Sequence, residues 1–404
     1  MTVKISNIGR IASVNSISGE VERKSEVDIL VEGDIISEVG SELGNPEIVI
    51  DSRNGLVTPG FVDPHTHPVF AGTREKEFEM RSVGKSYEEI AQAGGGIISS
   101  VESLHKTSEE ELTGLVKKRM WNFLKLGTTT VEAKSGYGLS TESELKSLKV
   151  LQNTERDVPI DIVPTFLGAH DFPPEFKDNR RGYVSLICEE MLPAVAEQGI
   201  AKYCDIFCEN GWFDVNDSNE ILNKAVELGL SIRLHADEFQ DSGAAVLAVE
   251  LGAVSADHLM YIPDKAIKQF SENNVIATLL PGTTFFLGKN KYAPARKMID
   301  QGVIVALATD FNPGSSMIQS MPFIMSLACI YMKMTVEEVF KSATFNAAKS
   351  IEMDHLVGTI EQGKQADILI WDVDDLSQLM YSIGDICPNT VIKKGKVLEF
   401  QLPN

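Results

Sequence analysis

Five times along the middle of the chain a helix-like segment runs into a glycine, and a β-rich apolar run begins at once. The segments are "LKLGTTTVEA", "AEQGIAKYCDIF", "VELGLSIRLH", "VELGAVSADH" and "IDQGVIVALATD". Gly127, Gly199, Gly229, Gly252 and Gly302 stand where a helix stops on a left-handed residue, a conformation glycine adopts at least cost. Ser108 with Glu111, and Thr141 with Glu144, fit capping boxes that would start two of the helices. Helix, glycine and strand in repetition read as αβ units around a parallel sheet. Eight strands are expected, near 57–62, 127–132, 160–165, 203–207, 230–234, 254–257, 275–280 and 303–308. Eight parallel strands alternating with helices predict an α/β fold, a (β/α)8 TIM barrel. An open doubly wound sheet is the alternative, but no Gly-x-Gly-x-x-Gly turn favours dinucleotide binding there.

The two flanks read differently, as short β-type runs such as "VDILVEGDIISEVG" and "TVIKKGKVLEF". The expectation is one small β-sandwich domain built from residues 1–58 and 358–404, with the barrel, 59–357, inserted between them. Among the 404 residues, 37 basic against 58 acidic give a net charge of −21, which argues against nucleic acid or an anionic membrane as partner. An anionic substrate therefore needs a local cation. The N-terminus lacks the apolar core of a signal peptide, and no apolar run approaches 18 residues, so neither export nor a membrane span is expected. Five cysteines, odd in number and sparse, favour a reducing cytoplasm; Cys204 and Cys208 read as packing residues.

A barrel of this kind carries its chemistry at the C-terminal ends of its strands. The first strand ends in "DPHTH", with His65 and His67 two residues apart and hence on one face of an extended backbone. The third leads to His170, the fifth to His235 with Glu238 three further on, the sixth to His258 and the eighth to Asp310. Five of the seven histidines fall at this one rim, and only His105 and His355 do not. Singly, a strand-end histidine is more often a satisfied structural group, and Asp310 could merely cap a loop; together they point to a metal. Imidazole nitrogen with one carboxylate suits a divalent transition ion such as zinc or iron, not magnesium or calcium. His65, His67, His235 and Asp310 would hold one ion and leave a position for water, whose pKa a metal brings from about 15.7 to about 7. Glu238 and His258 are then the acid/base candidates beside it.

The stretches "PGFVDPHTH", "LHADE", "SADH", "ATDFNPGS" and "GKQADILIWD" resemble the amidohydrolase superfamily of metal-dependent hydrolases over the whole chain. More narrowly, "AGTREKEFEMR", "GGGI", "VEAKSGYGL", "TFLGAH" and "YAPAR" are similar to the imidazolonepropionase family. The resemblance implies ring opening of 4-imidazolone-5-propanoate to N-formimidoyl-L-glutamate in histidine degradation. It puts the metal on the same four residues and the catalytic work on Glu238, His258 and Asp310. It implies substrate binding by Arg74, Tyr137, His170, Asn312, Gly314 and Ser315, and it suggests a homodimer. Taken alone, Arg74 would read as a solvated charge and Tyr137 as a turn residue. Gly94, Gly95 and Gly96 would form a lid or a loose connection. Where binuclear relatives place a bridging lysine after the fourth strand, this chain has only Cys208 and Glu209, so one metal is expected. The competing expectations are a mononuclear deaminase of an aminated heterocycle, which needs no carboxylate clamp, and a non-catalytic scaffold, which would lose its metal-binding histidines.

Overall fold

A computed structural model describes residues 2–44, 46–85, 89 and 95–400. Eight parallel strands lie side by side in chain order: Phe61–Asp63, Thr128–Lys134, Asp161–Ala169, Tyr203–Cys208, Ser231–Ala236, Ser255–His258, Ile276–Leu279 and Val305–Leu307. The sheet closes on itself just beyond the first and last strands. Thr66 bridges to Phe311 in parallel, His67 N–H donates to the Phe311 carbonyl at 2.8 Å, and Asp310 N–H donates to the His65 carbonyl at 3.1 Å. The expected TIM barrel is therefore present, and the residues that close it flank the proposed ligands. Thr128–Lys134 and Tyr203–Cys208 are buried along their whole length, as strands covered on both faces must be. All five glycines of the repeating pattern have positive φ, between 65° and 93°. Each turns the chain out of a helix and toward the next strand.

One expected helix start is shifted. Ser108 caps its helix, Glu109–Lys125, by accepting from Glu111 N–H at 3.2 Å. The helix Thr141–Asp157, however, is capped by Ser140, not by Thr141. Glu144 does not close a capping box; it is buried and accepts from the N–H groups of Gly136, Gly138 and Leu139 at 2.7–2.9 Å. Three converging backbone donors outweigh the single one that a capping box offers.

The chain ends interleave. A four-stranded sheet runs in the order Ile35–Gly40, Asp28–Glu32, Thr2–Ser6, Ile48–Asp51. A six-stranded sheet sets the C-terminal strands Lys396–Val397, Thr390–Lys393 and Ile368–Trp371 beside Leu56–Pro59, Arg10–Val14 and Val21–Lys24. The single strand expected near 57–62 is thus two. Leu56–Pro59 pairs antiparallel with Ile368–Trp371, and Phe61–Asp63 enters the barrel. Gly60 separates them because a Cβ there would lie 2.2 Å from Thr129 Oγ1. Gly94, part of the expected glycine lid, lies outside the described residues. Gly96 has φ 90°, precedes the helix Ile97–Lys106 and donates its N–H to Glu77 Oε1 at 2.9 Å.

Candidate metal centre and substrate cavity

His65 and His67 leave the first strand pointing inward and are buried, as are His235 and Asp310 at the ends of the fifth and eighth. His67 Nε2 lies 3.1 Å from His65 Nε2, 3.4 Å from His235 Nε2 and 3.4 Å from Asp310 Oδ1; His65 Nε2 lies 3.6 Å from the same oxygen. A tetrahedral site with bonds of about 2.0–2.1 Å has ligand–ligand edges of about 3.3 Å. His65 Nδ1 contacts Asp257 Oδ2 at 2.6 Å and His235 Nδ1 contacts Asp205 Oδ1 at 3.1 Å. With each Nδ1 proton donated to a carboxylate, the two Nε2 lone pairs face the common centre. Lone pairs cannot bond to each other, whereas a cation satisfies all of them, so the donor set fits a divalent metal. Burial first, then nearby Lys134 and the other imidazoles, holds His65 well below its ordinary 6.5, so it is a neutral ligand-type imidazole. Burial pushes Asp310 up, but the hydrogen bond from His67 and the neighbouring imidazoles outweigh it and leave the carboxyl at about 2. Thr283 Oγ1 donates to Asp310 Oδ2, which turns Oδ1 toward the histidines.

Beneath these residues lies a layer the sequence reading missed. Lys134 Nζ sits 2.7 Å from Glu132 Oε1 and 2.8 Å from Asp205 Oδ2, and Arg233 Nη2 sits 3.2 Å from Asp257 Oδ2; all are fully buried. Each carboxylate that orients a histidine is thus backed by its own buried cation. Burial raises Asp205, but His235 and Lys134 more than reverse this and hold it well below the usual carboxylate range. A signal existed: Glu132 with Lys134, and Arg233 with His235, interrupt apolar strands at period two, the spacing of one barrel face.

Above them opens a cavity of about 460 Å³. Its lining includes His67, His235, Glu238, His258 and Asp310, together with Arg74, Tyr137, His170, Asn312, Gly314 and Ser315. Every expected site residue except His65, which lies below, therefore meets in one space. His258 Nε2 is 3.8 Å from Glu238 Oε2, and its ring centroid is 5.2 Å from that of His235. His258 and Asp310 both have positive φ, 76° and 52°, a strained backbone of the kind that concentrates at functional strand ends. His170 Nδ1 contacts the Gly136 carbonyl at 2.8 Å, which leaves Nε2 as an acceptor, and the ring stacks on His67 at 5.3 Å. Asn312 Oδ1 accepts from the N–H groups of Gly314 and Ser315 at 2.9 and 2.7 Å, folding that loop against Arg74. A Cβ on Gly314 would lie 2.3 Å from Arg74 Nη1. Arg74 forks onto Glu77 through Nε and Nη2 at 2.8 and 2.7 Å. Glu209 commits its oxygens to the N–H groups of Asn210 and Phe239 at 3.0 and 2.8 Å, away from the histidines, and Cys204 and Cys208 are buried in the core.

A closed parallel barrel with histidines and an aspartate converging at its C-terminal mouth defines a metal-dependent hydrolase of the amidohydrolase class. The amidohydrolase family model matches residues 220–398. Solved structures with the same fold include an adenosine deaminase from Xanthomonas campestris with bound zinc, at TM-score 0.73 and 18% identity over 98% of this chain and 92% of that one. A triazine hydrolase variant reaches TM-score 0.77 at 16% identity, covering 98% of this chain and 94% of that one. Among curated proteins, the imidazolonepropionase of Shouchella clausii is 47% identical over 94% of this chain and 86% of that protein. That of Geobacillus thermodenitrificans is 49% identical over 87% and 82%. The chain belongs to the imidazolonepropionase family.

Proposed function

We propose that this chain hydrolyses 4-imidazolone-5-propanoate to N-formimidoyl-L-glutamate, with one divalent ion per chain, zinc or iron, held by His65, His67, His235 and Asp310. The observation that carries the reading is one cavity lined both by a donor set for a metal and by a guanidinium held against the Asn312–Ser315 loop. A small ring with a carboxylate tail matches both; a nucleobase needs only the first. When bound, the ion supplies a Lewis acid and lowers the pKa of water. Arg74, packed against the Asn312–Ser315 loop, binds and orients the propanoate, and Tyr137 and His170 bound the ring's position. His258 orients the attacking water, takes up its proton and stabilises the negative charge that develops on the oxygen of the ring's carbonyl group. Glu238, 3.8 Å away, hydrogen-bonds a ring nitrogen, receives from His258 the proton taken from the water and passes it to that nitrogen as the C–N bond breaks. Asp310 is the further proton acceptor at the attacked side.

The small anionic heterocycle is the partner proposed here; a homodimer and a cytoplasmic location belong to the same reading. No helix among the described residues is long and apolar enough to cross a membrane. We take residues 1–58 and 358–404 as one unit around the barrel of 59–357. The test is an anaerobic assay with fresh imidazolonepropionate, beside elemental analysis of the same sample. Loss of substrate absorbance with about one zinc or iron per chain is expected. Ammonia release from a nucleobase without that loss would favour the deaminase, and metal-free, inert protein the scaffold.

A further inference from the structure

Three backbone N–H groups and a hydroxyl converge on one fully buried carboxylate, and all four come from the segment that precedes its helix. Glu144, in the first turn of the helix Thr141–Asp157, accepts from Gly136 N–H through Oε2 at 2.9 Å. Its Oε1 accepts from the N–H groups of Gly138 and Leu139 at 2.7 and 2.8 Å. The Ser135 hydroxyl bonds it as well, while the Ser135 oxygen accepts from Leu167 N–H on the third strand at 3.0 Å. Burial raises the pKa of the carboxyl and the four donors work against it. A proton on either oxygen would face an N–H, so both oxygens serve as acceptors.

The segment held this way has its carbonyls fixed too. The Gly136 carbonyl meets His170 Nδ1 at 2.8 Å, and the Gly138 carbonyl meets His105 Nε2 at 2.6 Å. Gly136 has φ 103° and Leu139 φ 50°, the latter a left-handed backbone that leucine rarely adopts. A Cβ on Gly138 would lie 2.7 Å from Glu144 Oε1. Between two glycines pinned at both N–H and C=O stands Tyr137, its ring 5.3 Å from that of His170. Tyr137 and His170 both line the cavity.

We infer that Glu144 is a positioning residue: by gripping the Gly136–Leu139 backbone it sets Tyr137 directly, and His170 through the Gly136 carbonyl, in one fixed relation at the cavity wall. It acts on the substrate only through those two rings. The inference rests on the proposed function, since Tyr137 and His170 bound that substrate's ring. Glu144→Gln keeps the shape but turns one acceptor oxygen into an NH2 group that faces a backbone N–H. Two donors cannot bond, so the segment must shift.

The test measures imidazole-4-propanoate, as a competitive inhibitor and by calorimetric binding, with elemental analysis of the same metal-loaded samples. Glu144→Gln should weaken its binding by about tenfold and raise KM for imidazolonepropionate in parallel, with metal content unchanged. A merely structural role lowers the folded fraction, which scales the apparent kcat and leaves KM and the inhibition constant unmoved. In a Tyr137→Ala/His170→Ala background the same substitution should change the binding constant by less than about threefold, because the rings it places are gone. An unchanged constant in Glu144→Gln overturns the inference. So does the full tenfold effect repeated in that background, or loss of metal from Glu144→Gln. Should Glu144→Gln fail to fold, Glu144→Asp, which retracts both oxygens by one methylene, is judged by the same criteria. If the parent enzyme does not consume imidazolonepropionate, the functional reading falls and this inference with it; if it does, the constants judge Glu144 alone.

Discussion

Each end of the barrel buries a polar cluster, and the two differ in how their hydrogen bonds close. At the N-terminal end Lys393 Nζ meets Asp161 Oδ2 at 2.5 Å and Asp367 Oδ2 at 2.6 Å, and Gln365 Nε2 meets the same two oxygens at 2.7 and 2.9 Å. The remaining oxygens are taken by Lys394, through Nζ on Asp161 and N–H on Asp367. Both lone carboxylates are matched, and the terminal sheet is fastened to the start of the third strand. At the C-terminal mouth nitrogens face nitrogens, and the Nδ1 atoms of His67 and His258 are buried without a partner. A buried polar cluster complete in itself holds a fold together; one that turns several imidazole Nε2 atoms toward one another presents a donor set suited to a cation.

Four measurements sharpen that contrast, beginning with the largest effect. His258→Asn should lower kcat by about 10²–10⁴ while metal content stays unchanged. If metal content falls with kcat, His258 belongs with His65 and His235 as a ligand, a grouping their proximity also allows. Lys393→Met should cost about 3–5 kcal/mol in urea unfolding, because it leaves Asp367 without a cation beside Asp161, yet leave metal stoichiometry intact. A loss of metal instead would mean that the two clusters are not independent. Asp257→Asn should weaken metal affinity by about 10–100-fold by releasing His65 Nδ1, measured by chelator competition. The smallest effect is one of pH. Burial raises Asp161, but Lys393 more than compensates, so its folded pKa lies below the ordinary 3.8. A lowered folded pKa gives stability that is present above 3.8 and lost as pH falls through the folded value. Asp161→Asn should therefore flatten the acid side of the stability curve and leave the neutral side parallel to that of the parent.

Much of this was legible in one dimension because its causes are local. The glycine at a helix end, the apolar run after it and the polar residue that stops the run all lie within about a dozen positions. The rim histidines could thus be placed on strand ends without any knowledge of neighbours. Where the local rule was ambiguous the reading slipped. Ser140 and Thr141 can each cap a helix, and only the Gly136–Leu139 backbone, folded back over the helix start, draws Glu144 inward. The supporting residues were harder still. His65 meets Asp257 across 192 residues of chain and His235 meets Asp205 across 30, and nothing near any of the four names its partner.

By itself, then, the order of residues determined an eight-stranded αβ barrel with a metal-type constellation at its mouth, since helix stops and strand periodicity are properties of neighbouring residues. Only the folded chain decided which imidazole nitrogen faces the centre and which carboxylate holds it there. Those outcomes depend on directional hydrogen bonds and on charge separations of a few ångströms. Distances on that scale between remote residues exist only once the barrel has closed.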